Sequence, residues 1–78
     1  MSRGLRNWTF KKAVSFLTKH DFVHSHTRGS HFYYMKKDQI DKPAICIAFH
    51  GSKAIKLKTM RTIVAQSGIG IKEWLNKQ

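Results

Sequence analysis

The sequence predicts an α+β fold of the order α-β-β-β-α: a three-stranded antiparallel sheet, two main helices on one face and a short helix at the end. Three observations predict it. Apolar residues repeat at helical spacing towards both ends of the chain. Between them lie three short runs rich in aromatic and β-branched residues. A Gly29–Ser30 pair separates the first two runs by the length of a hairpin turn. With 78 residues the chain is expected to form one domain, 1–78, without repeat, linker or low-complexity segment. A domain of this size buries only about 60% of its unfolded surface, so its core is thin.

Each element has its own signal. Thr9 is placed to cap the first helix, which runs to about Lys19. Phe10, Ala13, Val14 and Leu17 form its apolar stripe, widened by Phe16. Lys11 and Lys12 stand in its first turn, where the helix dipole disfavours cations, a hint that this end meets anions. Strands are expected at 22–28, 31–37 and 44–49, with a polar loop at 38–43. In the third strand Ile45, Ile47 and Phe49 point one way, and Ala44, Cys46 and Ala48 the other. The second helix is expected over 58–66, with Leu57, Met60, Ile63, Val64 and Ser67 on its inner side and Gly68 as its stop. A last turn or two covers 71–76, where Trp74 and Leu75 are expected to seal one end of the core.

Charge narrows the function. Fifteen Lys and Arg against four Asp and Glu give a net charge of +11. Roughly 2–8 charges already keep a small domain soluble, so the excess points to a polyanionic partner, nucleic acid before membrane. The single cysteine, Cys46, excludes an internal disulfide and fits a small core residue in a reducing cytosol. The N-terminus lacks the apolar stretch of a secretory signal. The longest apolar run, 44–49, is far too short to cross a bilayer.

The residue types also constrain the chemistry. The carboxylates Asp21, Asp38, Asp41 and Glu73 form no catalytic pair, and no glycine pattern cradles a phosphate. His24 and His26 are two apart in a strand, so they are expected to share a face. His31 or His50 would have to join them in a metal site, for which no spacing is diagnostic, and neither metal nor other cofactor is expected. RNA cleavage needs neither carboxylates nor metal. It needs an acid or base at the 2′-hydroxyl or leaving oxygen, and cations for the phosphorane charge. Imidazole exchanges its proton near neutral pH. His31 follows the glycine turn and opens a strand, an exposed yet rigid place, with Arg28, Ser30, Lys36 and Lys37 as nearby phosphate donors.

Three segments carry a resemblance. They are LTKHDF at the end of the first helix, RGSHFYY across the turn, and FHGSKAIKLKTMRTIVAQSGI into the second helix. Together they cover about residues 9 to 75, and the chain resembles the HicA (YcfA-like) family of bacterial mRNA-interferase toxins. The resemblance implies a fold like the double-stranded-RNA-binding domain and ribosome-independent, metal-independent mRNA cleavage in the bacterial cytoplasm. It gives the catalytic role to His31 and implies a cognate HicB antitoxin. Beside His31, the expected RNA contacts are Arg28, Gly29, Ser30, Lys36, Lys37, Lys11 and Lys12, and the acidic antitoxin is expected on the same surface. The chain departs from the family pattern at Asp21, where Gly is common, and at Leu57 and Lys58, which replace a Pro-Gly. The alternative is a non-catalytic module that holds double-stranded RNA by phosphates and 2′-hydroxyls. A DNA-binding regulator lacks its helix-turn-helix pattern.

Overall fold

A computed structural model describes residues 4–39 and 41–76. Helix α1 (Phe10–Lys19) begins where the sequence predicts: Thr9 is extended, and its hydroxyl accepts from the Lys12 backbone N–H at 3.2 Å. Ala13, Phe16 and Leu17 bury its inner side. After the helix, Asp21 takes a left-handed conformation (φ 68°), and its carbonyl accepts from the Lys37 N–H at 2.9 Å. The glycine common here in the resembled family would reach that conformation freely; Asp reaches it at a steric cost.

Strands β1 (Phe22–Arg28), β2 (His31–Lys36) and β3 (Ile45–Ala48) form an antiparallel meander in the order β1-β2-β3. Lys37, Ala44 and Phe49, predicted as strand ends, lie just outside the ladders. In the two-residue turn Gly29 has φ 59° while Ser30 is not left-handed. That is the type II′ pattern, whose twist suits a hairpin.

The β1–β2 register shifts once. His24 lies opposite Tyr34 and His26 opposite Tyr33, which leaves Ser25 as the extra residue of a bulge. Because Tyr33 and Tyr34 face opposite sides of the sheet, so do the two histidines. The shared face expected of His24 and His26 is therefore wrong. His24 lies beside Phe32 and Tyr34 and shares a 2.7 Å hydrogen bond with Thr27, whereas His26 stacks on Tyr33.

One sheet face is covered. Phe22, Tyr34, Ile45 and Ile47 are buried there with Leu17, Met60 and Ile63 of the helices. The other face is open and carries Val23, His26, Arg28, His31, Tyr33, Met35 and Cys46. Helix α2 (Leu57–Ser67) is slightly longer than predicted; Leu57 and Lys58 form its first turn, and Gly68 ends it at φ 74°. Ser67, buried, donates to the Val64 carbonyl at 2.7 Å and accepts from Ile69 N–H at 3.1 Å and Trp74 Nε1 at 3.3 Å. Those bonds fasten α3 (Ile71–Asn76) to α2.

The end of the core is sealed differently from the prediction. Trp74 is fully buried, but Leu75 is 42% exposed. The partner of Trp74 is Trp8, 5.2 Å away between ring centroids, and Phe16 stacks on it at 4.0 Å. Trp8 and Leu5 precede the first helix and lie outside its stripe, yet both belong to the core. The Trp8 carbonyl accepts from the Ile55 N–H at 2.6 Å, and Thr9 bridges to Ala54. The chain after β3 is thereby pinned to the start of α1.

Candidate nucleic-acid interface

A three-stranded meander has two ends. The β1–β2 turn and the exit of β3 share one of them, and the β2–β3 loop occupies the other. At the turn end, Arg28 lies opposite His31, and His31 opposite Ala48. The Phe49 N–H donates to the Ser30 carbonyl at 2.8 Å, so the turn is held from the third strand as well. Arg28, Gly29, Ser30 and His31 are all exposed. His31 sits on the open face, on the middle strand, where its backbone is paired on both sides.

Beneath this end lies an aromatic cluster. Phe10 meets Phe32 and Phe49, each at 5.0 Å and edge-on. Such pairs contribute about 0.5–1.5 kcal/mol beyond their buried area. They hold the start of α1 under the turn end, which brings Lys11 and Lys12 to the same end in the helical layer. The Lys12 Nζ lies 4.9 Å above the Trp8 ring. A groove of about 410 Å³ runs along α1, where Lys11, Lys12, Lys19 and His20 rim a floor of Trp8 and Phe16.

Lys36 and Lys37 are not brought to His31. A strand advances about 3.3 Å per residue, so Lys36, five residues along β2, is about 17 Å away. It pairs with Phe22, and the Lys37 N–H is bonded to Asp21. At the turn end the exit of β3 leads to cations that sequence reasoning missed. The segment after β3 lines a groove of about 430 Å³ with Ala48, His50, Lys53, Lys56 and Thr59. Ala48 is the residue opposite His31. The signal that would have found them is the predicted topology itself, since a meander returns the exit of its third strand to the first turn.

The electrostatics are lopsided. Asp21, Asp38 and Asp41 all cluster at the β2–β3 loop end, and no carboxylate stands between residues 42 and 72. Arg28, Lys53 and Lys56 therefore have no acidic neighbour in the turn or in the segment after β3. On the open face Tyr33 lies opposite Cys46. Hydrogen bonding with the thiol and the thiol's charge raise the pKa of the Tyr33 hydroxyl above the usual 10.0, while Arg28 pulls it the other way. Burial likewise raises that of Tyr34. Both phenols stay neutral at physiological pH.

Among the described residues, no group of three or more His, Cys, Asp or Glu is placed to hold a metal ion, and no helix is long and apolar enough to cross a membrane. The arrangement offers a polyanion the exposed His31 imidazole on a strand paired on both sides, with the Arg28 guanidinium on the residue opposite it. The model of a family described as "HicA toxin of bacterial toxin-antitoxin" matches residues 10–69. No curated protein and no solved structure matches the chain.

Proposed function

The chain belongs to the HicA toxin family, and so is the toxin of a bacterial toxin–antitoxin pair with an antitoxin as partner; from that membership we propose that it is a metal-independent endoribonuclease that cleaves mRNA through His31. The observation that carries the reading is the placement of His31: exposed, on a backbone paired on both sides, opposite Arg28, where neither the turn nor the segment after β3 has a carboxylate.

The chemistry is an internal transesterification. The ribose 2′-oxygen attacks the adjacent phosphorus and the P–O5′ bond breaks, leaving a 2′,3′-cyclic phosphate and a free 5′-hydroxyl. One proton leaves the 2′-hydroxyl and one arrives at O5′. His31 serves one of these transfers as general base or general acid. Arg28, with its planar fork of donors, and the Ser30 hydroxyl meet the non-bridging oxygens as charge gathers on them. The Gly29 turn lets the backbone come close. Lys53 and Lys56 on one side, and Lys11 and Lys12 on the helical side, hold neighbouring phosphates, and Lys36 and Lys37 meet only RNA that extends to the far end of β2. The reaction proceeds in the bacterial cytoplasm without the ribosome, and a HicB-type antitoxin with an acidic surface silences it by covering the turn end.

The test is incubation of labelled RNA in EDTA with the wild-type chain and with His31→Ala. Discrete fragments from the wild type alone are expected. Equal cleavage by both would remove His31 from the chemistry. RNA retained by both but cut by neither would make the chain a double-stranded-RNA-binding module instead.

A further inference from the structure

The open sheet face carries a feature that the cleavage chemistry does not use. His26 of β1 and Tyr33 of β2 lie opposite each other, their rings parallel within 7° and 4.3 Å apart between centroids. His26 is oriented from the side: Ser25 Oγ and His26 Nδ1 share a hydrogen bond of 2.9 Å, while Tyr33 lies opposite Cys46 on the middle strand. His26 is exposed on the edge strand, so the stack ends in a free ring face towards solvent. Tyr33 is two residues from His31 in the same strand and on the same face, about 6.6 Å along it. Arg28 borders the same patch, opposite His31.

We propose that the His26–Tyr33 pair is a stacking platform for one unpaired base of the RNA, the base next to the phosphate that reacts at His31. This rests on the ribonuclease reading and narrows it. A flat π-surface beside a guanidinium is matched by a nucleotide, which carries a flat base and an anionic phosphate within one repeat of the chain. A duplex does not fit, because its bases already stack on both sides and are not free to extend the pair. The substrate class is therefore single-stranded RNA, or a loop, at the cleavage position. The platform accepts any base by its face and positions the strand without touching the reacting atoms.

The experiment uses the full chain carrying His31→Ala, so that RNA is bound and not cut, and single-stranded RNA bearing one 2-aminopurine. Stacking quenches that fluorophore. Quenching on binding is expected, retained when Tyr33→Phe is added and lost when His26→Ala and Tyr33→Leu are added together. The double exchange is expected to weaken single-stranded binding about 5- to 100-fold, the effect of losing one base stack, and to leave blunt duplex RNA within about twofold. Matching circular dichroism and melting temperatures certify the fold of each variant. Unchanged quenching, or an equal loss for duplex RNA, overturns the platform. The two readings fail separately: quenching that depends on His26 and Tyr33, in a wild-type chain that cuts no RNA, keeps the platform and refutes the nuclease. Full cleavage by a chain with His26→Ala and Tyr33→Leu alone keeps the nuclease and refutes the platform.

Discussion

The two ends of the sheet are built from similar amounts of charge but put it to different uses. At the β2–β3 loop end Lys36, Lys37 and Lys42 stand among Asp21, Asp38 and Asp41, so the fields largely cancel. The same end holds two joints of the fold. The Asp21 carbonyl receives the Lys37 N–H, and the groove beside Lys36 and Lys42 reaches Ser67 at the end of α2. At the turn end Arg28 stands opposite His31, Lys53 and Lys56 follow the exit of β3, and Lys11 and Lys12 lie in the helical layer, without a carboxylate in the turn or in the segment after β3. Uncompensated like charges cost stability, and a chain of this size has little to spare. On the proposed function the uncompensated end serves a polyanion, whereas balanced charge around backbone joints serves the fold. Substitutions at the two ends should therefore separate activity from stability.

The sharpest separation is His31→Ala. Loss of a general acid or base lowers cleavage by about 10²- to 10⁴-fold. The side chain is exposed, so the melting temperature should stay where it is. Single-turnover rates on labelled RNA and a thermal melt check both halves, and a destabilised variant would break the comparison. Next come the lysines. Replacing Lys53 and Lys56 together by Gln should reduce the slope of log binding constant against log salt by about 1.4, since each single-strand phosphate contact contributes about 0.7. The matched exchange of Lys36 and Lys37 should move it less. Equal slopes for the two pairs would abolish the distinction drawn between the ends.

At the loop end the expected effects fall on stability. Ser67→Ala leaves Trp74 Nε1 and the Ile69 N–H without their acceptor and should cost about 1–3 kcal/mol, read by denaturant unfolding. Cleavage per folded molecule should be unchanged. Smallest is Asp21→Gly. Removing the left-handed strain is worth about 1 kcal/mol, and the added freedom of the unfolded chain returns part of it. A net gain of a few tenths of a kcal/mol is expected, again without effect on cleavage.

Most of the fold was legible because its signals are local. The Thr9 cap, the Gly29 turn, the Gly68 stop and the 3.6-residue stripe of α1 depend on neighbours within a few positions, and the structure places each as the sequence predicts. Trp8 was not legible: it lies one residue before the helical cap, and only the docking of α3 through Trp74 makes it core. The candidate site was read by proximity in sequence, which favoured Lys36 and Lys37 and passed over Lys53 and Lys56. In an antiparallel sheet, proximity along a strand carries residues away from a turn as surely as it carries them towards the next one.

The bulge at Ser25 was the least visible feature, since neither glycine nor proline marks it. Its consequence is best put in the language of insertions and deletions. Counted strictly two by two from Phe22, β1 would present Thr27 to the open face and turn Arg28 under the helices. The one surplus residue shifts the reading frame midway, so that the first half of the strand keeps Phe22 in the core while the second half delivers Arg28 to His31. Deleting Ser25 would restore an uninterrupted frame with every other pairing preserved. An additional insertion in the same half-strand would not be tolerated in this way, because it would invert Arg28 relative to the histidine it faces.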